Sequence, residues 1–151
     1  MSWKIALVGG VVYYVAMFGV SMFTGYFIHS QDGVLAEVYR ATAPFWRPEL
    51  NANPPDIGVM LKMWIPSGLI GAMLLAGVYS VVRSSLAGAA WRRGLKFGVI
   101  ASVFGFAGIL GYRGRFNLPD QLWVWWLIGA TIVNLAGGIV LGWIAQKLAP
   151  A

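Results

Sequence analysis

Four long apolar stretches, at about residues 5–28, 57–82, 94–112 and 122–147, leave this chain few environments in which to fold. Helix rises 1.5 Å per residue, so about 20 residues cross a hydrocarbon core of about 30 Å, and each stretch is close to or beyond that length. Soluble domains are roughly 45–50% apolar. This chain is 59% hydrophobic and 11% charged, with a mean hydropathy of +0.72. The expected class is an all-α integral membrane protein with four transmembrane helices in a compact bundle.

The first stretch carries no charge and runs on through Met22, Phe23, Tyr26 and Phe27. A secretory signal has an apolar core of only about 7–15 residues, so this stretch is read as a retained span anchored by Trp3 and Lys4. In the second, Lys62 is expected to snorkel to the surface beside Trp64, and Ser67 to help satisfy the backbone that Pro66 disturbs. Pro119 and Asp120 suit the start of the fourth span, and Trp123, Trp125 and Trp126 form an aromatic belt just inside it.

Orientation follows from the basic residues. Arg83, Arg92, Arg93 and Lys96 surround the connection SSLAGAAW with no acid near them, and basic connections stay in the cytoplasm. Both termini are then cytoplasmic, with Lys4 and Lys147 on the same side. Every carboxylate falls outside, and Arg113 and Arg115 are a smaller dissenting group. The expected location is a bacterial inner membrane. The formal charge of +6 is accounted for at span ends, facing lipid headgroups, so nucleic acid is not an expected partner. The absence of cysteine excludes disulfides, thiolate metal sites and thiol catalysis.

The two halves of the chain echo each other. Phe18-Gly19 and Gly25-Tyr26 recur as Phe104-Gly105 and Gly111-Tyr112, and Leu69-Ile70-Gly71-Ala72 recurs as Leu127-Ile128-Gly129-Ala130. Matching residues are offset by 86 in the odd spans and 58 in the even ones. The difference is the length of the stretch between His29 and Ile57, so the chain reads as two duplicated hairpins, the first carrying an outer insertion at 29–56.

That insertion is where function is expected, because loops on a rigid frame carry most binding and catalytic groups. Val34, Leu35, Val38, Ala41 and Thr42 recur at helical spacing, with Glu37 and Arg40 as an i,i+3 pair opposite. A short amphipathic helix on the outer membrane surface is expected, ended by Pro44. Phe45 and Trp46 then return to the interface, and Pro48, Pro54 and Pro55 keep the return extended. The docking or ligand candidates are His29, Asp32, Glu37, Arg40, Trp46, Arg47, Glu49 and Asp56. One histidine without cysteine makes no ordinary metal site, and the acids match no cation motif. No metal and no catalytic set is assigned, no cofactor is required, and bound lipid is expected.

Within the spans, Asn134 is the deepest polar side chain, helped by Thr131, Ser21 and Ser102, and is read as a helix-to-helix hydrogen bonder. No Asp, Glu or Arg lies mid-span, which argues against a proton-coupled carrier. Gly105, Gly108 and Gly111, with Gly138 and Gly142 and the matching pair Gly94 and Gly98, are expected to pack helices closely. The leading expectation is a non-catalytic accessory or assembly subunit of a larger respiratory, photosynthetic or oxidase complex, with other integral membrane proteins as partners. The alternatives are a small homo-oligomeric channel or carrier with Asn134 in its path, and an outer-leaflet lipid or quinone enzyme using Asp32, Glu37 and Arg40.

Overall fold

A computed structural model describes residues 1–150. Helix is the only regular structure among the described residues. Helix α1 (Gly10–His29) is extended at its start by a π-helical turn, Ile5–Gly9. Two short helices follow in the insertion, α2 (Ala36–Ala41) and α3 (Pro48–Asn51). The remaining long helices are α4 (Ile57–Val82), α5 (Ala90–Arg113) and α6 (Asp120–Leu148). Four helices are therefore long and apolar enough to cross a membrane, over Ile5–His29, Ile57–Ser85, Ala90–Arg113 and Asp120–Leu148. The third begins earlier than its apolar run, because Ala90 to Arg93 make a helical turn whose arginines lie beyond the hydrocarbon stretch.

The spans pack as a bundle, a bent row in the order α4, α1, α6, α5. Backbone proximity explains why α5 clings to α6. A Cβ on Gly94 would stand 2.0 Å from the Gly138 carbonyl oxygen, and one on Gly142 would stand 2.3 Å from that of Ala90. Lipid supplies no hydrophobic drive between helices, so contact this close is what holds such a pair. Met73 backbone likewise abuts Gly10 where α1 meets α4, and Tyr13 and Met17 abut Gly137 where α1 meets α6. At the far side of the row α4 and α5 meet through the Tyr79 and Phe97 rings, 5.2 Å apart.

Two buried clusters sit at opposite ends. One, near the termini, gathers Ile5, Tyr13, Ala72, Ala76, Tyr79, Phe97, Leu141 and Ala145. The other gathers Ile28, Leu35 and Leu122 under the insertion, which we call the lid.

The basic residues at the terminal end are partly structural. Arg83 Nη1 donates to the carbonyls of Ala145 at 3.2 Å and Ala149 at 2.6 Å, closing the C-terminus of α6 from a neighbouring helix. Arg93 Nη2 donates to Gln146 Oε1 at 2.7 Å, and Lys96 Nζ to the Ala87 carbonyl at 2.9 Å. Arg83→Ala is expected to lower stability by about 1–2 kcal/mol, since charge-assisted bonds to carbonyls are lost, and amide exchange in the last turn of α6 should rise selectively.

Some local expectations change. Pro48 starts the helical turn α3, with Glu49 in its first turn, because proline suits the first helical position; the return is not uniformly extended. Asp120 does not cap α6. Its carboxylate instead accepts from Arg113 Nε and Nη2 at 2.9 and 2.8 Å. Ser67 Oγ donates to the Met63 carbonyl at 2.6 Å, one residue beyond the Lys62 carbonyl that Pro66 leaves without its helical donor.

Candidate functional site

The lid is held to the spans from its first turn. Val34 N–H donates to the Phe27 carbonyl and Leu35 N–H to that of Ile28, at 3.0 and 3.1 Å, so the chain folds straight back on the end of α1. Gly33 makes this possible, since a Cβ there would stand 2.9 Å from the Phe27 carbonyl oxygen. Helix α2 then lays Leu35 and Ala36 inward, with Leu35 fully buried against Ile28 and Leu122. Its inner face thus packs on the protein's own α1 and α6. Val34 and Ala41, grouped with that face by spacing, are exposed, because α2 is only six residues long and Val34 precedes it.

Four aromatic rings and one histidine build the roof beneath α2. His29, Tyr39, Trp46, Trp126 and Trp123 meet in sequence, edge to face, with successive centroids 5.6, 5.2, 6.0 and 5.4 Å apart. Two hydrogen-bond chains run through it. Trp46 Nε1 donates to Thr42 Oγ1 at 2.7 Å, and Thr42 passes its own hydrogen to the Val38 carbonyl at 2.7 Å. Trp126 Nε1 donates to the Tyr39 hydroxyl at 2.8 Å, and that hydroxyl lies 2.8 Å from His29 Nδ1.

The second chain favours one histidine tautomer. An indole N–H can only donate, so the Tyr39 oxygen accepts from Trp126. With the Tyr39 hydrogen given to His29 Nδ1, both the hydroxyl and that nitrogen are paired, and the imidazole hydrogen is left on Nε2. Burial pushes the Tyr39 hydroxyl above the usual tyrosine range, the Trp126 hydrogen bond opposing it, so the donor stays protonated at neutral pH.

Below the roof, α1 and α6 part to leave a groove of about 260 Å³ lined by Ser21, Thr24, His29, Trp126 and Asn134 among others. Its floor is the contact of Met17 with Gly137. A second hollow of about 330 Å³ lies on the other side of Trp126, walled by Phe45, Trp46, Tyr112, Phe116 and Trp123.

The structure sorts the candidate residues. His29 and Trp46 belong to the roof and Asn134 to the groove. Glu37 and Arg40 pair with each other at 2.5 Å on the exposed side of α2. Asp56 caps α4, accepting from Val59 N–H at 3.1 Å. Asp32 and Arg47 are exposed, whereas one carboxylate oxygen of Glu49 is buried without a partner. Among the described residues no three acids or histidines converge as a metal set. Gly138 and Gly142 lie in the α5–α6 contact, but nothing stands within 4 Å of a Cβ on Gly105, Gly108 or Gly111. Sequence reasoning missed Tyr39, whose one signal was a hydroxyl-bearing ring ten residues from the only histidine.

Set against family models, curated proteins and solved structures, the chain matches none of them.

Proposed function

We propose that this chain is a non-catalytic accessory or assembly subunit of a larger membrane complex, docking through the lid-end half of α5. The observation that carries this reading is the open space around Gly105, Gly108 and Gly111. Glycine in a helix interior costs about 0.5–1 kcal/mol relative to alanine, and a lipid-facing surface gives nothing in return. A partner helix does, because small residues admit close backbone approach. Val103, Phe104, Phe106 and Leu110 stand exposed around the same half-helix and would clasp such a partner.

In this reading the lid end faces outward from a bacterial inner membrane and the Arg83 to Lys96 loop lies in the cytoplasm with both termini, following the distribution of basic residues. The duplicated hairpins are α1 with α4 and α5 with α6. Among the matched glycines Gly19 and Gly105 both face open space, whereas Gly71 is open and its counterpart Gly129 lies against Ile28, so the correspondence rests on the sequence match.

Extraction in mild detergent, a native gel and mass spectrometry test the proposal. The wild-type chain is expected to travel with larger membrane subunits at fixed stoichiometry. The double variant Gly105→Leu, Gly108→Leu should run free of them with an unchanged melting temperature, since a Cβ at either position has no other helix within 4 Å. A wild-type chain that runs alone as a small oligomer overturns the reading.

A further inference from the structure

The geometry points to a quinone-binding site, for a neutral lipid-soluble ring carrying carbonyl oxygens, in the groove between α1 and α6. It shares no residue with the α5 glycine face, so it stands or falls independently of the docking proposal.

Depth is the first argument. His29 and Trp126 are bridged by Tyr39 and so lie at one level. From that level α1 runs back and α6 runs forward, both descending into the membrane. Ser21 is eight residues below His29 and Asn134 eight residues below Trp126, which places both about 12 Å deeper at 1.5 Å per residue. The floor checks this register: Met17 and Gly137, twelve and eleven residues down, touch each other.

Polar accounting is the second. The Thr24 hydroxyl gives its hydrogen to the Val20 carbonyl at 3.0 Å, but Ser21 Oγ and the Asn134 amide make no hydrogen bond within the protein among the described residues. Unpaired polar groups at membrane depth are costly, so this pair calls for a partner from outside the chain. At the roof His29 presents an Nε2 hydrogen while Tyr39 holds the other nitrogen. The groove thus offers hydrogen-bonding groups at two levels, at the roof and at the depth of Ser21 and Asn134.

Charge and shape select the ligand class. No carboxylate, lysine or arginine lines the groove among the described residues, so it complements neither a phosphate nor an ammonium head. A bilayer phospholipid would bring only hydrocarbon to the level of Ser21 and Asn134. A quinone carries carbonyls on opposite edges of a flat ring, so the ring can lie between the two levels, one carbonyl toward His29 and Trp126 and the other toward Ser21 and Asn134, with its tail leaving between the helices. The volume of about 260 Å³ suits a ring head and not a whole tailed molecule.

The test is a titration of the purified full-length chain, in nanodiscs, with decylubiquinone and with a short-tailed menaquinone, read by quenching of its tryptophan fluorescence. The proposal expects saturable quenching by at least one of them. Asn134→Leu should weaken the affinity roughly tenfold and Ser21→Ala roughly threefold, as expected for lost hydrogen bonds, while Gly105→Leu leaves it unchanged. Should Asn134→Leu fail to fold, Ser21→Ala decides alone. Quenching that rises linearly as simple partitioning, or affinity equal to wild type in both variants, overturns the site. So does native mass spectrometry showing one phospholipid per chain that excess quinone does not displace.

Discussion

Gly138→Leu is expected to remove most of the folded protein, the largest effect of any single substitution considered. A Cβ at this position would stand 2.5 Å from the Gly94 carbonyl oxygen and 3.1 Å from the Gly98 Cα. Overpacking a yielding core costs about 1–3 kcal/mol. Here the obstacle is the backbone of α5, which cannot rotate aside, so the two helices must separate along their shared face. Since α5 finds its long contact on α6 alone, only the ring contact of Phe97 with Tyr79 on α4 is left to hold it in place. Against a total stability of about 5–15 kcal/mol, that loss is large. The yield of monodisperse protein and its melting temperature report it, with Gly105→Leu as the control that should melt like wild type. If Gly138→Leu also melts like wild type, the α5–α6 crossing is looser than described.

Tyr39→Phe should release the lid without unfolding the spans. The hydroxyl is the only atom joining Trp126 Nε1 to His29 Nδ1, so its loss leaves one donor and one acceptor unpaired beneath α2. Each unpaired buried group costs about 1–3 kcal/mol, less here because the site is partly open. Hydrogen exchange should rise over residues 34–46 and stay unchanged in α5. The same bond predicts an alkaline limit. Burial raises the Tyr39 hydroxyl above its ordinary 10.0, so the folded lid prefers the protonated form. Its contribution is complete below that pH and is lost as pH rises through the higher folded value. Protection of residues 34–46, taken relative to the base-catalysed intrinsic exchange rate, should therefore fall in strong alkali in the wild type, and Tyr39→Phe should lack that titration. An unchanged exchange pattern in the variant would mean that Leu35 and the ring contacts hold the lid without the relay.

The spans were legible because helix length and hydropathy are local quantities. Ile57 to Val82 is helical where the apolar run demanded it, and Pro66 did not end it. Close packing was also legible in the four-residue spacing of Gly94 with Gly98 and of Gly138 with Gly142, and the structure sets the two pairs against each other. The row was not, because small-residue spacing says that a helix has a neighbour and not which one. By the same limit Gly105, Gly108 and Gly111 looked like internal packing and proved open. In the lid, charge drew attention to Glu37, Arg40 and Asp56, two of which pair with each other on the surface while the third caps a helix.

Sequence by itself determined the membrane class, the four spans and the polar insertion. Each follows from composition or from spacing along one helix, and a chain of 59% hydrophobic residues has few other ways to satisfy its backbone. Tertiary structure alone decided that His29, Tyr39 and Trp126 meet, and that Ser21 and Asn134 face one groove at one depth. Tyr39 and Trp126 are 87 residues apart, and Ser21 and Asn134 lie on different spans. What brings them together is the register of α1 against α6, set where Tyr13 and Met17 press on Gly137, a contact whose partner the four-residue spacing of Tyr13 and Met17 does not name.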